Sequence, residues 1–200
     1  MSQAAIQPIA PIRPVPLDRA YRLLNHGPTV LVSAEHDGHA NVMAAAWAMP
    51  LDFAPPKVAV VVDKATFTRG LIEASSRFVL NLPCAAQAAL TLGVGSDSAR
   101  TRPDKLAAHG VQLFSPADET LPLVAGCVGW LACRVLPEPH NQQAYDLFLG
   151  EVTAAWADAR VFCDGRWHFD DAPAELRTLH YVAGGQFYAT GASVVVPGAA

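Results

Sequence analysis

The chain has 200 residues, 52% of them hydrophobic, which suffices for one well-buried core and falls short of two domains of ordinary size. A formal net charge of −4 with only 16% charged residues excludes a protein that holds nucleic acid or anionic membrane by bulk electrostatics, so an anionic ligand has to be met by a local site. Its apolar stretches fall far short of the roughly 20 residues of a membrane helix, and residues 2–16, with four prolines, lack the apolar block of a secretory signal, which makes the cytoplasm the default location.

Residues 1–16 read as a flexible arm, 17–190 as a single domain and 191–200 as a tail. The spacing of Leu17, Ala20, Tyr21, Leu23 and Leu24 predicts a short helix, stopped by Asn25-His26-Gly27-Pro28. Residues 29–34 are rich in β-branched side chains and run into His36-Asp37-Gly38-His39, whose Asp-Gly is a strong hairpin signal. Residues 41–49 then read as a strand, 50–56 as an exposed loop because of Pro55-Pro56, and 57–63 as a buried strand. Residues 68–75 predict a short helix, 77–82 a strand and 85–92 an alanine-rich helix. A polar loop over 93–103 leads to a short helix over 104–109 closed by Gly110, and long strands follow over 126–136 and 145–155. Many strands with few short helices predict a mainly β fold, a barrel or sandwich more than a doubly wound sheet.

The four cysteines, Cys84, Cys127, Cys133 and Cys163, include no C-x-x-C pair and read as buried free thiols; Cys127 and Cys133, six apart, would face one side of a strand. Gly93-Val94-Gly95-Ser96-Asp97-Ser98 lacks the third glycine and the preceding strand of a dinucleotide fingerprint, and reads as a plain loop. His36 and His39 lack a suitably spaced third ligand, so no metal is assigned. The common hydrolase and triphosphatase signatures are missing, and chemistry carried by a cofactor becomes the natural alternative.

Three blocks point to such a cofactor. The first runs from Asn41 through Val42, Met43, Ala44-Ala45-Ala46, Trp47 and Met49 to Pro55-Pro56, then Asp63, Lys64, Thr66-Phe67-Thr68-Arg69, and finally Arg77-Phe78-Val79-Leu80-Asn81. The second is Ser98-Ala99-Arg100 followed by Asp104-Lys105-Leu106, and the third is Leu147-Phe148-Leu149-Gly150-Glu151-Val152. In this order they resemble the flavin reductase-like family, with Ala99 standing for the glycine of its Ser-Gly-Arg and Leu106 for the phenylalanine of its Asp-Lys-Phe. The resemblance implies an FMN-binding split β-barrel with a few peripheral helices, dimeric, with the flavin near the subunit interface.

On that resemblance the cofactor-binding residues are Asn41, Val42, Met43, Ala44, Ala45, Ala46, Trp47, Asp63, Lys64, Thr66, Phe67, Thr68, Arg100 and Lys105. Small residues suit an isoalloxazine because its polar edge needs close approach to backbone N–H groups, while Trp47 and Met49 stand where a wall would be; the same alanines and tryptophan also suit ordinary core packing. Thr66 and Thr68 precede a predicted helix whose first N–H groups attract an anion, each hydroxyl being expected to bond the phosphate; Thr68 otherwise serves as the N-cap. Lys64, Arg69 and Lys105 are candidate counter-charges in a chain with only three lysines.

The implied activity is hydride transfer from NAD(P)H to FMN and on to an acceptor, with no catalytic side chain assigned and His140 as a weak candidate beside the nicotinamide. Two alternatives stay open: a non-catalytic flavin- or haem-binding module, and an oxidase acting on an organic substrate.

Overall fold

The computed structural model describes residues 28–116, 120–163 and 165–196, without the side chain of Cys163. The N-terminal arm, the helix expected over 17–24 and the last four residues of the tail lie outside them.

Seven strands form one antiparallel sheet in the order β2-β1-β5-β8-β9-β4-β3. They are β1 (Val30–His36), β2 (His39–Ala45), β3 (Ala48–Phe53), β4 (Pro56–Val61), β5 (Arg77–Leu82), β8 (Gly129–Leu136) and β9 (Leu147–Ala157). Two-stranded pieces accompany it: β6 (Leu113–Phe114) with β7 (Leu123–Val124), β10 (Phe162–Cys163) with β11 (Arg166–Trp167), and β12 (Leu179–Ala183) with β13 (Gln186–Ala189). The helices are α1 (Phe67–Ser75), α2 (Ala88–Ser96), α3 (Lys105–Ala108) and α4 (Pro139–Ala144). The expected mainly β, antiparallel fold with few short helices is what the chain forms.

Alternation in β1 shows why the sheet curls. Val30, Val32 and Ala34 enter a cluster with Val58 and Val60 of β4, Phe78 and Leu80 of β5, Phe148 of β9 and Leu71 and Ile72 of α1. Strands second and sixth in the sheet order share one core only if the sheet wraps round it, and α1 closes the enclosed space. On the other face of β1, Leu31 packs with Val42 of β2, Val94 of α2 and Val124 of β7. Burial on both faces leaves polar groups that need partners. Asn81, fully buried, donates to Leu31 O and Ser33 Oγ, both at 2.9 Å, and accepts the Val124 N–H at 2.8 Å, fastening β7 to the sheet.

The hairpin at Asp37 (φ 50°) and Gly38 (φ 76°) has both turn residues in the left-handed region, as a two-residue turn between twisted strands requires. Four local expectations need correction. Residues 41–49 do not form one strand: the chain leaves β2 at Ala45, turns at Ala46-Trp47 and pairs elsewhere as β3. Residues 50–56 are mostly strand β3, because its place at the sheet edge tolerates Pro50, while Pro55-Pro56 sit in the turn and at the first position of β4. Residues 93–96 continue helix α2, since Gly93 and Gly95 serve close packing: a Cβ at Gly93 would stand 2.3 Å from the His109 ring. Cys127 precedes β8 and packs in the outer cluster, whereas Cys133 follows a register shift and faces the inner one, so the two thiols lie on opposite sides of the sheet.

Candidate functional site

The break between β2 and β3 opens the sheet beside α2, and a cleft of about 510 Å³ forms there. Ala44, Ala45, Ala46 and Trp47 line one side, Thr91, Leu92, Gly95 and Ser96 of α2 another, and Tyr181 and Phe187 of the C-terminal hairpin a third. The alanines leave backbone within reach of a flat ring. Close approach of α2 is equally a matter of size: a Cβ at Gly95 would lie 3.0 Å from the Ala44 Cβ. Thr91 is 1% exposed, and its hydroxyl has no hydrogen-bond partner among the described residues. An orphaned hydroxyl lining a cavity is what a ligand's polar edge would satisfy.

A narrower recess of about 230 Å³ continues from this cleft and shares Met43, Ala44, Asp63, Gly95 and Ser96 with it. Its far end is the N-terminus of α1. Thr66 is the N-cap there, with φ −77° and ψ 143°, yet no side chain caps the helix and its first turn carries no acidic residue. The leading N–H groups of Phe67 and Thr68 thus keep their partial positive charge for another acceptor. Thr66 Oγ1 donates to Asp63 O at 2.7 Å, and Asp63 Oδ1 accepts the Ala65 N–H at 2.7 Å. Thr68 is buried, and its Oγ1 accepts from Asn41 Nδ2 at 2.8 Å, which leaves the Thr68 hydroxyl proton available.

Lys105 lines the same recess, 2% exposed, with no hydrogen bond or ion pair from its ammonium among the described residues. Burial pushes its pKa down to about 8, against a smaller opposing pull from Asp97. Asp97 is itself occupied: Oδ2 meets His109 Nε2 and an Arg102 guanidinium N–H, each at 2.7 Å, and these bonds hold its carboxyl below the usual range. A buried cation with no ion pair among the described residues, beside an uncapped helix end, suits a phosphate.

Of the residues nominated from sequence, the two-part cleft brings together Asn41, Met43, Ala44, Ala45, Ala46, Trp47, Asp63, Thr66, Phe67, Thr68 and Lys105. Val42 does not join them, because strand alternation turns it into the outer cluster. Lys64 reaches the carbonyl of Gln143 and approaches Asp146 at 3.5 Å, away from the recess. Arg100 lies over the Phe67 ring at 5.9 Å, outside the lining. Arg69 is no free counter-charge: buried, it donates to Val62 O, Gln142 O, Asp146 and Glu73, and so ties α1 to the end of α4. His140 stacks edge-on against Tyr145 on exposed α4, outside the cleft lining. Thr68 is not the N-cap but lies within the first turn.

Sequence reasoning missed Thr91, Leu92, Tyr181 and Phe187. Thr91 carries no local signal of its role. Tyr181 and Phe187 flank Gly184-Gly185, a Gly-Gly hairpin signature that would have placed two aromatic residues opposite one another.

Comparison with known proteins agrees with this geometry. Residues 22–176 match the family model described as flavin reductase like domain. A crystal structure of an FMN-binding domain of a flavin reductases-like enzyme from Shewanella baltica OS155 is 59% identical, with a TM-score of 0.84 over 91% of this chain and 95% of that one. The protein YddH of Escherichia coli K12, itself described as uncharacterized, is 47% identical over 184 residues, 90% of this chain and 96% of YddH. Flavoredoxin of Desulfovibrio vulgaris (Miyazaki F) shares the fold at a TM-score of 0.73 and 23% identity, over 87% of this chain and 92% of its own.

Proposed function

The chain belongs to the flavin reductase-like family, and from that premise we propose that it is an FMN-dependent oxidoreductase that takes hydride from NAD(P)H and passes the electrons to an acceptor. One observation carries the proposal: a wide, mostly apolar cleft shares five lining residues with a narrower recess that ends on an uncapped helix N-terminus and on buried Lys105, which has no ion pair among the described residues. A flat ring with a phosphate tail matches that sequence of environments, and the Shewanella relative is described as FMN-binding.

FMN, when bound, supplies a ring system that takes up a hydride and releases electrons singly or in pairs. The chain's own residues would hold and orient it. Ala44, Ala45 and Ala46 let backbone amides approach the ring's polar edge, and the orphaned Thr91 hydroxyl offers one more hydrogen bond. The N–H groups of Phe67 and Thr68, the Thr68 hydroxyl and Lys105 would hold the phosphate. Met43 and Leu92 would keep water from the ring, which strengthens each of these polar contacts. Most of the rate gain would come from positioning and fixed donors, with no side chain required as nucleophile.

We also propose that the chain acts as a homodimer in the cytoplasm. Among the described residues, edge strand β3 has a partner on one side only, and Trp47 just before it and Met49, Leu51 and Phe53 along it are exposed, Phe53 at 97%. An open apolar edge is an aggregation hazard unless something covers it, and a second copy would do so beside the cleft that Trp47 lines.

The deciding experiment is the visible spectrum of the purified protein, identification of the released chromophore, and anaerobic mixing with NADH and NADPH. Bound FMN that bleaches rapidly is the expected result. A yellow protein stable to both nucleotides would make this a flavin binder without reductase activity, and a Soret band would point to haem.

A further inference from the structure

The family match ends at residue 176, yet the hairpin that follows builds one wall of the ring end of the cleft. Tyr181 and Phe187 are direct cross-strand partners, half-buried, with ring centroids 5.2 Å apart at an interplanar angle of 57°. The hairpin is anchored to the start of β1: the Thr29 N–H donates to Leu179 O at 2.9 Å, and Thr29 Oγ1 accepts the Tyr181 N–H at 2.8 Å. Its turn, Gly184 (φ 60°) and Gly185 (φ 82°), rests on α2 so closely that a Cβ at Gly185 would lie 3.3 Å from Leu92 Cδ2. Two anchored aromatic side chains therefore line the same cleft as the small side chains of residues 44–46. Charge narrows what fits between them. No Lys, Arg or His lines this end among the described residues, and its one charged group is Asp63. A carboxylate placed beside the two rings meets no counter-charge here.

We infer that the β12-β13 hairpin is the acceptor-recognition element of the cleft and that it takes an uncharged, planar aromatic ring, with a quinone as the reactive class. The inference rests on the FMN reading above. Aromatic faces favour a flat π-system over a saturated ring of equal size, and the lack of cations disfavours its carboxylate. For a quinone the balance is one hydride from the reduced nicotinamide and one proton from solvent, which yields the hydroquinone and the oxidised nicotinamide.

Binding, apart from turnover, tests this. Full-length protein loaded with FMN is titrated with 2-naphthol, with saturated decahydro-2-naphthol and with 2-naphthoate, following the flavin visible band and the heat of binding. The expected result is 2-naphthol bound at least tenfold more tightly than either comparison. Tyr181→Leu and Phe187→Leu, which keep apolar bulk and remove the ring face, should each weaken 2-naphthol about tenfold, by a larger factor than they weaken FMN. In turnover the same variants should raise KM for 1,4-naphthoquinone by a larger factor than KM for ferricyanide, which has no ring to stack. Wild-type affinity for 2-naphthol in both variants, or decahydro-2-naphthol bound as well as 2-naphthol, overturns the inference. Failure of the wild type to bind FMN at all overturns the cofactor reading beneath it, and shows before any naphthol is added.

Discussion

Asn41 Nδ2 donates to Thr68 Oγ1 at 2.8 Å, a buried bond between side chains 27 residues apart. Asn41 lies in β2, which leads into the small residues of the ring end, and Thr68 lies in the first turn of α1, which closes the phosphate end. This single bond couples the two halves of the cleft, and it orients the Thr68 hydroxyl by occupying its acceptor side.

Removing that hydroxyl should separate phosphate recognition from ring binding. Thr68→Val keeps the shape, deletes one hydrogen bond to a charged group worth roughly 1.5 to 3 kcal/mol, and leaves the Asn41 amide unpaired. FMN should bind about tenfold to a hundredfold more weakly, with riboflavin affected far less. Thr66→Val should do less, because the Thr66 proton is already committed to Asp63 O. Titration of both ligands into both variants checks the point; equal losses for FMN and riboflavin in Thr68→Val would remove Thr68 from the phosphate site.

Lys105 predicts how FMN affinity depends on pH. Its pKa near 8 in the free protein means that it is charged below that pH and neutral above it. A bound phosphate, dianionic above about pH 6, favours the charged form and raises the pKa in the complex. Affinity for FMN should therefore fall as pH rises beyond about 8, approaching tenfold per unit, while riboflavin affinity stays flat. Lys105→Met should abolish the slope. Stability runs the other way: between about 8 and the ordinary 10.5 the unfolded chain binds more protons than the folded one, so the FMN-free protein gains stability as pH rises through that window. Urea titrations across pH 7 to 11 would show it.

Arg69 predicts loss of stability without loss of selectivity. Arg69→Met removes four donors and leaves Asp146, only 24% exposed, without its closest partner at 2.5 Å. Folding should weaken by about 3 kcal/mol. The ratio of FMN to riboflavin affinity should not move, since Arg69 faces away from the recess; a drop in that ratio would restore it as a phosphate ligand.

The β3 edge predicts the assembly state. Met49→Glu and Phe53→Glu place charges on an exposed apolar edge, which is harmless in a monomer and disruptive in a dimer that buries it. Sedimentation at micromolar concentration should show a dimer for the wild type and monomers for the variants. A wild-type monomer, or variants that remain dimeric, would place the interface elsewhere or remove it.

Much of the first block was legible because each step has a short-range cause. Asp37-Gly38 supplies the positive φ angles of its turn, β1 alternates for a buried sheet, and β5 (Arg77–Leu82) has the bounds its β-branched and aromatic run predicts. The errors cluster where a local signal met a distant partner. Pro50 and Pro55-Pro56 read as a loop only while β3 is not known to be an edge strand, and Gly93 and Gly95 read as a loop only while His109 and Ala44 are not known to press on that helix.

The sequence by itself determined the strand-rich class, the order of the family's blocks and the residue types of the cleft, since these follow from periodicity, turn chemistry and side-chain size. Tertiary structure alone decided which of those residues meet. Lys64, Arg69 and Lys105 are equal as cations in a string of letters, yet packing gives Lys64 a carbonyl and Asp146, surrounds Arg69 with acceptors, and leaves Lys105 buried, facing the recess and without an ion pair among the described residues. What a charge can do depends on its desolvation and its neighbours, and both are set by contacts across tens of residues that no local pattern encodes.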